Sequence, residues 1–146
     1  SSLPNAQLKI VGANPTRQIR SLGKIPGVSV EGDIPDIRTA FSNATVLLAP
    51  VRNGRGTRYK ILESMSSQTP VVATNLAVEG LNIQPGTHAL VSDDPHTLAD
   101  YTVKVLQDPE LRIMLAKNGS QLVRQEYDWR KISQDLDRIY QQLGKS

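Results

Sequence analysis

The chain has 146 residues, 38% of them hydrophobic and 21% charged, which supplies a core for one domain and argues against disorder. It contains no cysteine, so a disulfide scaffold, a thiolate zinc site and a cysteine nucleophile are all excluded. The net charge of +3 suits an anionic ligand such as a phosphate ester as well as a plain solvated surface, while 4% aromatic residues and no Lys/Arg-rich block speak against nucleic acid.

The opening Ser1-Ser2-Leu3-Pro4-Asn5 lacks a basic region followed by an apolar stretch, so no signal peptide is expected, and it reads as a cut within a longer protein. Leu8 to Gly12 is a short apolar run closed by Gly12 and Asn14-Pro15, a buried strand ending in a turn. Thr16 caps a helix holding Ile19 and Leu22 that ends near Gly23. Val28-Ser29-Val30 is a second strand, and Asp36 caps a helix with Ile37, Ala40 and Phe41 on one face. Thr45 to Ala49 is a third strand, stopped by Pro50. A glycine-bearing polar loop follows, then a helix over about residues 58–67 and a fourth strand over Pro70 to Thr74.

Glu79-Gly80 and Pro85-Gly86 mark a long loop before a short fifth strand, His88 to Val91. Asp93-Asp94 reads as the cap of a helix starting at Pro95, with Leu98, Tyr101, Val105 and Leu106 on one face. Asp108-Pro109 restarts it, carrying Leu111, Met114, Leu115, Leu122 and Val123, and Asp128 caps a last helix beside Trp129, a core anchor. Met65 and Met114 are read as packing residues, and His88 and His96 as polar residues of a loop and a helix start. No run of about 18 apolar residues is present, so no spanning segment is expected.

Strands alternate with helices, and the strands are continuous apolar runs. This predicts an α/β fold: a Rossmann-like, doubly wound parallel sheet of five strands with C-terminal helices, covered on both faces. Ligands of such folds bind at the carboxyl ends of the strands. There the loop after the third strand stands out, Arg52-Asn53-Gly54-Arg55-Gly56-Thr57, with its helix behind it. Two glycines permit a tight turn and a close approach, and the free amides of the helix start suit a diphosphate. Arg55, Arg58 and Lys60 add positive charge. By helical phase Ile61, Leu62 and Met65 lie on one side and Lys60, Glu63, Ser64 and Ser67 on the other. Lys60 and Glu63, three apart, read either as a surface salt bridge or as a cation for phosphate beside a carboxylate for a ribose diol.

The stretch from Gly54 to Thr74, with Lys60-Ile61-Leu62-Glu63-Ser64-Met65 and Pro70-Val71-Val72-Ala73-Thr74, resembles the signature of the retaining glycosyltransferases of family 4. Leu8 to Gly12, the turn Gly32-Asp33-Ile34-Pro35-Asp36 and the helix start Tyr127-Asp128-Trp129 are similar to flanking motifs of that family. The resemblance implies the donor-binding half of a two-domain GT-B enzyme, with residues 1–146 as a single nucleotide-sugar-binding domain and a fragment of the parent. It implies ribose binding by Glu63, a donor and diphosphate cradle of Gly54, Arg55, Gly56, Thr57, Arg58 and Lys60, and base contacts at Gly12, Gly32 and Ile34. It implies no metal and no cofactor, and leaves the catalytic residues unassigned.

The chain departs from the family at Arg55, where the family carries a glutamate for the donor sugar, and at Gln68, where it carries a helix-ending glycine. The family's first strand, with an Arg and a Lys for the diphosphate, and its acceptor domain are expected before Ser1. The parent is read as a hexosyltransferase passing sugar from a nucleotide sugar to a saccharide or lipid-linked acceptor with retention, the fragment alone being inactive. Its expected place is cytoplasmic, with peripheral membrane attachment through the missing part left open. Two alternatives stand: a non-catalytic domain of GT-B type, favoured by Arg55, and a sugar-nucleotide epimerase of the same architecture.

Overall fold

The computed structural model describes residues 3, 5–32, 34, 36–54 and 59–128. The chain divides into two compact units, Ser1–Ala40 and Phe41–Ser146.

The first unit holds β1 (Leu8–Val11), α1 (Arg17–Leu22), β2 (Val28–Glu31) and the start of α2 (Ile37–Ser42). β1 and β2 pair in parallel, Leu8 opposite Val28 and Val11 opposite Glu31. Both ends of α1 follow from local sequence. Thr16 Oγ1 accepts the Ile19 N–H at 3.3 Å, and the Gly23 N–H returns to the Arg20 carbonyl at 3.2 Å. The Arg38 N–H, in the first turn of α2, donates to Asp36 Oδ1 at 2.9 Å, as the capping reading requires.

The second unit holds β3 (Leu47–Ala49), α3 (Tyr59–Ser66), β4 (Val71–Ala73), α4 (Asn75–Val78), β5 (Leu90–Val91), α5 (Pro95–Gln107) and α6 (Pro109–Glu126). Its three strands form a parallel sheet in the order β3-β4-β5, with Leu47 opposite Val71 and Val72 opposite Leu90. The five strands expected from the sequence are present and each pairs in parallel, but as one sheet of two and one of three, where a single five-stranded sheet was expected.

Strand alternation explains why the apolar runs are continuous. Ala49, Val71 and Ala73 pack on one face with Ile61 and Met65 of α3 and Ala77 of α4. Val72 turns to the other face, against Leu98 and Val105 of α5 and Leu115 of α6, with Leu48 and Leu90 beside it. Both faces of this three-stranded sheet are covered, and each fully buried Val, Ile or Met contributes about 1.5–3 kcal/mol of transfer free energy, whereas β1, expected to be buried, leaves Leu8 and Lys9 exposed. Asp94 Oδ2 accepts the Thr97 N–H at 2.7 Å, and Asp108 Oδ1 accepts the Leu111 N–H at 2.9 Å, so both long helices start on an aspartate with proline in the first turn.

Several expectations need correction. The stretch after β4, expected to be loop, begins with the single turn α4, since four residues are too few to show a helical period. Met114 is 38% exposed rather than packed, whereas Met65 is 1% exposed. Ser64, assigned to the polar side of α3, is fully buried, and its hydroxyl donates to the Thr69 carbonyl at 3.2 Å. The small hydroxyl is accepted in the core because it has this acceptor. The last helix and Trp129 lie outside the described residues.

Candidate functional site

The loop after β3 leaves the sheet through a tight turn. The Val51 N–H donates back to the Ala49 carbonyl at 3.0 Å across Pro50. Arg52, Asn53 and Gly54 are exposed, and Gly54 has φ 122°. An L side chain rarely adopts that φ, and a Cβ there would meet nothing within 4 Å, so the backbone itself faces open space. Arg55, Gly56, Thr57 and Arg58 lie outside the described residues.

α3 then starts at Tyr59. Lys60 is half-buried and Glu63 is exposed, while Ile61 and Met65 anchor the helix at 0% and 1% exposure. Among the described residues no ion pair joins Lys60 to Glu63; the pairs formed are Lys9–Glu31 at 2.8 Å and Arg38–Asp36 at 2.9 Å. Glu63 therefore keeps both carboxylate oxygens as acceptors toward solvent, and Lys60 keeps its donors.

The end of α3 supports this placement. The Gln68 N–H donates to the Met65 carbonyl at 3.0 Å and the Thr69 N–H to the Ser64 carbonyl at 2.9 Å. This is a Schellman closure with Gln68 in the left-handed region, φ 58°. The helix thus ends as it would on a glycine. Thr69 Oγ1 then donates to the Phe41 carbonyl at 2.7 Å.

The carboxyl edge of the sheet is cross-linked by side chains that sequence reasoning missed. Thr74 Oγ1 donates to the Val51 carbonyl at 2.7 Å, and the Thr74 N–H to the Ala49 carbonyl at 3.3 Å. Asp93 accepts the Asn75 N–H at 2.9 Å and the Asn75 side-chain amide at 2.8 Å. These bonds hold the Asp93 carboxyl below the usual carboxylate range, the Asn75 side-chain bond contributing most. Thr74-Asn75 after an apolar run is a recognisable cap signature, but it gives no hint of a partner in the loop after β3. Of the pair Asp93-Asp94, only Asp94 caps α5.

In the first unit, the Gly12 N–H donates to the Glu31 carbonyl at 3.1 Å. A Cβ on Gly32 would lie 3.6 Å from Pro15 Cδ and 3.9 Å from the Gly12 carbonyl, so the two glycines are neighbours at the carboxyl ends of β1 and β2. Ile34 is half-buried. Of the other candidates, His88 Nδ1 accepts the Gln84 N–H at 3.0 Å within its own loop, and His96 is exposed. Among the described residues no three His, Asp or Glu side chains group as metal ligands, and no helix is long and apolar enough to cross a membrane.

A family model described as Glycosyl transferases group 1 matches residues 1–108. A phosphatidyl-myo-inositol mannosyltransferase of Mycobacterium leprae is 30% identical over 148 residues, covering 97% of this chain and 39% of the relative. Among solved structures, a sucrose-phosphate synthase from Thermosynechococcus elongatus matches with a TM-score of 0.80 at 26% identity, over 98% of this chain and 40% of that one. The C-terminal domain of LpcC, a glycosyl transferase group 1 family protein of Francisella tularensis, matches with a TM-score of 0.66 at 21% identity, over 77% of this chain and 60% of that one. The chain spans about 40% of the length of the curated relatives it matches.

Proposed function

The chain belongs to the glycosyl transferases group 1 family, and from that premise we propose that it binds the nucleotide-sugar donor of a hexosyltransferase. The longer protein would pass the sugar to a saccharide or lipid-linked acceptor, with retention at the anomeric carbon. The architecture is the Rossmann-like α/β kind of GT-B enzymes. The acceptor class is supported by the Mycobacterium leprae relative, a phosphatidyl-myo-inositol mannosyltransferase by name.

The observation that carries the reading is the placing of Glu63. It stands exposed on α3, one turn beyond Lys60 and unpaired with it, on the first helix after the open Gly54 loop. In this proposal the Glu63 carboxylate accepts the two ribose hydroxyls. The loop amides from Gly54 to Thr57, with Arg55, Arg58 and Lys60, hold the diphosphate. As the sugar leaves, the same positive groups stabilise the charge developing on the diphosphate. For the first unit, the separate proposal is that the paired glycines Gly12 and Gly32, with Ile34, offer a flat backbone surface to a base. The reading uses no metal and no cofactor.

Calorimetric titration of UDP and GDP tests it. Glu63→Ala is expected to weaken binding about tenfold to a hundredfold, since hydrogen bonds to a charged acceptor contribute about 1.5–3 kcal/mol. Equal binding by Glu63→Ala and the unsubstituted chain would refute the ribose role. The second reading, a non-catalytic domain, is favoured by Arg55 where the family has a glutamate; it predicts no nucleoside diphosphate binding even by the longer protein.

A further inference from the structure

Thr74 occupies the N-cap position of α4, with extended backbone at φ −79° and ψ 161°, yet its side chain makes no capping bond. A threonine there ordinarily accepts an N–H from the first turn of its own helix. Here the hydroxyl is turned the other way and donates to the Val51 carbonyl, 23 residues back in sequence. The Asn75 N–H, at the first position of α4 and so not the amide an N-cap side chain takes, is bound instead by Asp93, from the loop after β5. Together the two bonds tie the exits of all three strands of this sheet.

The grip falls on a particular place. The Ala49 carbonyl accepts from both the Val51 and Thr74 N–H groups, and the Val51 carbonyl accepts from the Thr74 hydroxyl. Thr74 is 4% exposed and Ala49 3% exposed, with Val51 half-buried, so the anchor is largely shielded from water. Arg52, Asn53 and Gly54 follow directly and are exposed. Resting on the reading that this loop holds a diphosphate, we infer that Thr74 is a positioning residue that aims the Gly54 loop at the diphosphate, with Asp93 as its support. Neither side chain touches the ligand. Their contribution is to remove alternative loop conformations before binding, which lowers the ordering cost of the complex.

The test compares Thr74→Val, which keeps the shape but loses the donor, with Thr74→Ser, which keeps the donor. Inorganic pyrophosphate and GDP are titrated into the longer protein that carries this chain, and amide hydrogen exchange is followed at Asn53 and Gly54. Thr74→Val is expected to bind pyrophosphate about tenfold more weakly, with faster exchange at both amides, while Thr74→Ser restores both. Asp93→Asn, with one acceptor oxygen fewer, is expected to show a smaller loss of the same kind. Full-affinity binding by a destabilised Thr74→Val would make the residue merely structural and overturn the inference. If Thr74→Val does not fold, Asp93→Asn decides by the same two readouts. If the unsubstituted longer protein binds neither probe, the diphosphate reading fails, and unchanged exchange in the variants would then overturn the positioning role separately.

Discussion

At Gln68 the backbone enters the left-handed region, φ 58°, to close α3. A residue with a Cβ gives up about 1–2 kcal/mol there, whereas glycine gives up little beyond its larger unfolded-state entropy. Gln68→Gly is therefore expected to raise the urea midpoint by the equivalent of about 1 kcal/mol with an unchanged slope. A lower midpoint would mean that the Gln68 side chain makes a compensating contact. The need for an unusual conformation near this position follows from the resemblance, since the family carries a helix-ending glycine where this chain has Gln68. The buried hydroxyl of Ser64 was not legible in the sequence, since a serine one position past Glu63 looks like any polar surface residue until the Thr69 carbonyl is seen beneath it.

Between elements, α6 approaches α3 closely at Gly119. A Cβ on Gly119 would lie 3.0 Å from Met65 Cγ and 3.5 Å from the His88 carbonyl, and Met65 is 1% exposed. Alanine at this position recovers about 1 kcal/mol of helix propensity, but the squeezed methionine takes back a similar amount. Valine adds two more methyl groups to a site with no room, and overpacking of about 1–3 kcal/mol then dominates. Gly119→Val is expected to lower the thermal midpoint clearly while Gly119→Ala changes it little. A Gly119→Val chain as stable as the unsubstituted one would disprove the tight α3–α6 contact. Ser120, next to it, is 4% exposed and its hydroxyl has no partner, so it adds no compensating bond at this contact. The existence of α5 and α6 and their starts were legible from Asp94-Pro95 and Asp108-Pro109. Their packing partners were not, and Met114, which its helical phase assigns to packing, is exposed.

Across the chain, Asp36, Asp93 and Asp94 all have carboxyls held below the ordinary value of 3.8. The causes are first the Arg38 side-chain bond for Asp36, the Asn75 side-chain bond for Asp93 and the Thr97 N–H for Asp94. A depressed folded value means these groups add stability above the ordinary value and lose it as pH falls through the folded one. Stability is thus expected to be flat in these groups from neutral pH to about pH 5 and to decline below about pH 4. Urea melts over that range check this, and Asp93→Asn should flatten the decline. A decline equally steep in the variant would show that other carboxylates carry it. The mild net charge of +3 adds nothing specific here, because exposed charges are screened over about a Debye length.

Caps, turns and strand runs could be read along the chain because each depends on residues within three or four positions of one another. The parallel α/β class and the prominence of the loop that carries Gly54 followed from them. Other features depend on residues distant in sequence meeting in space: Thr74 with Val51, Asn75 with Asp93 at a separation of 18, Gly119 with Met65. Such pairings leave no periodic trace, since a hydroxyl or carboxylate has the same local signature whether it caps its own helix or holds a neighbouring loop. Packing of the sheet against α3, α5 and α6 chose between those roles.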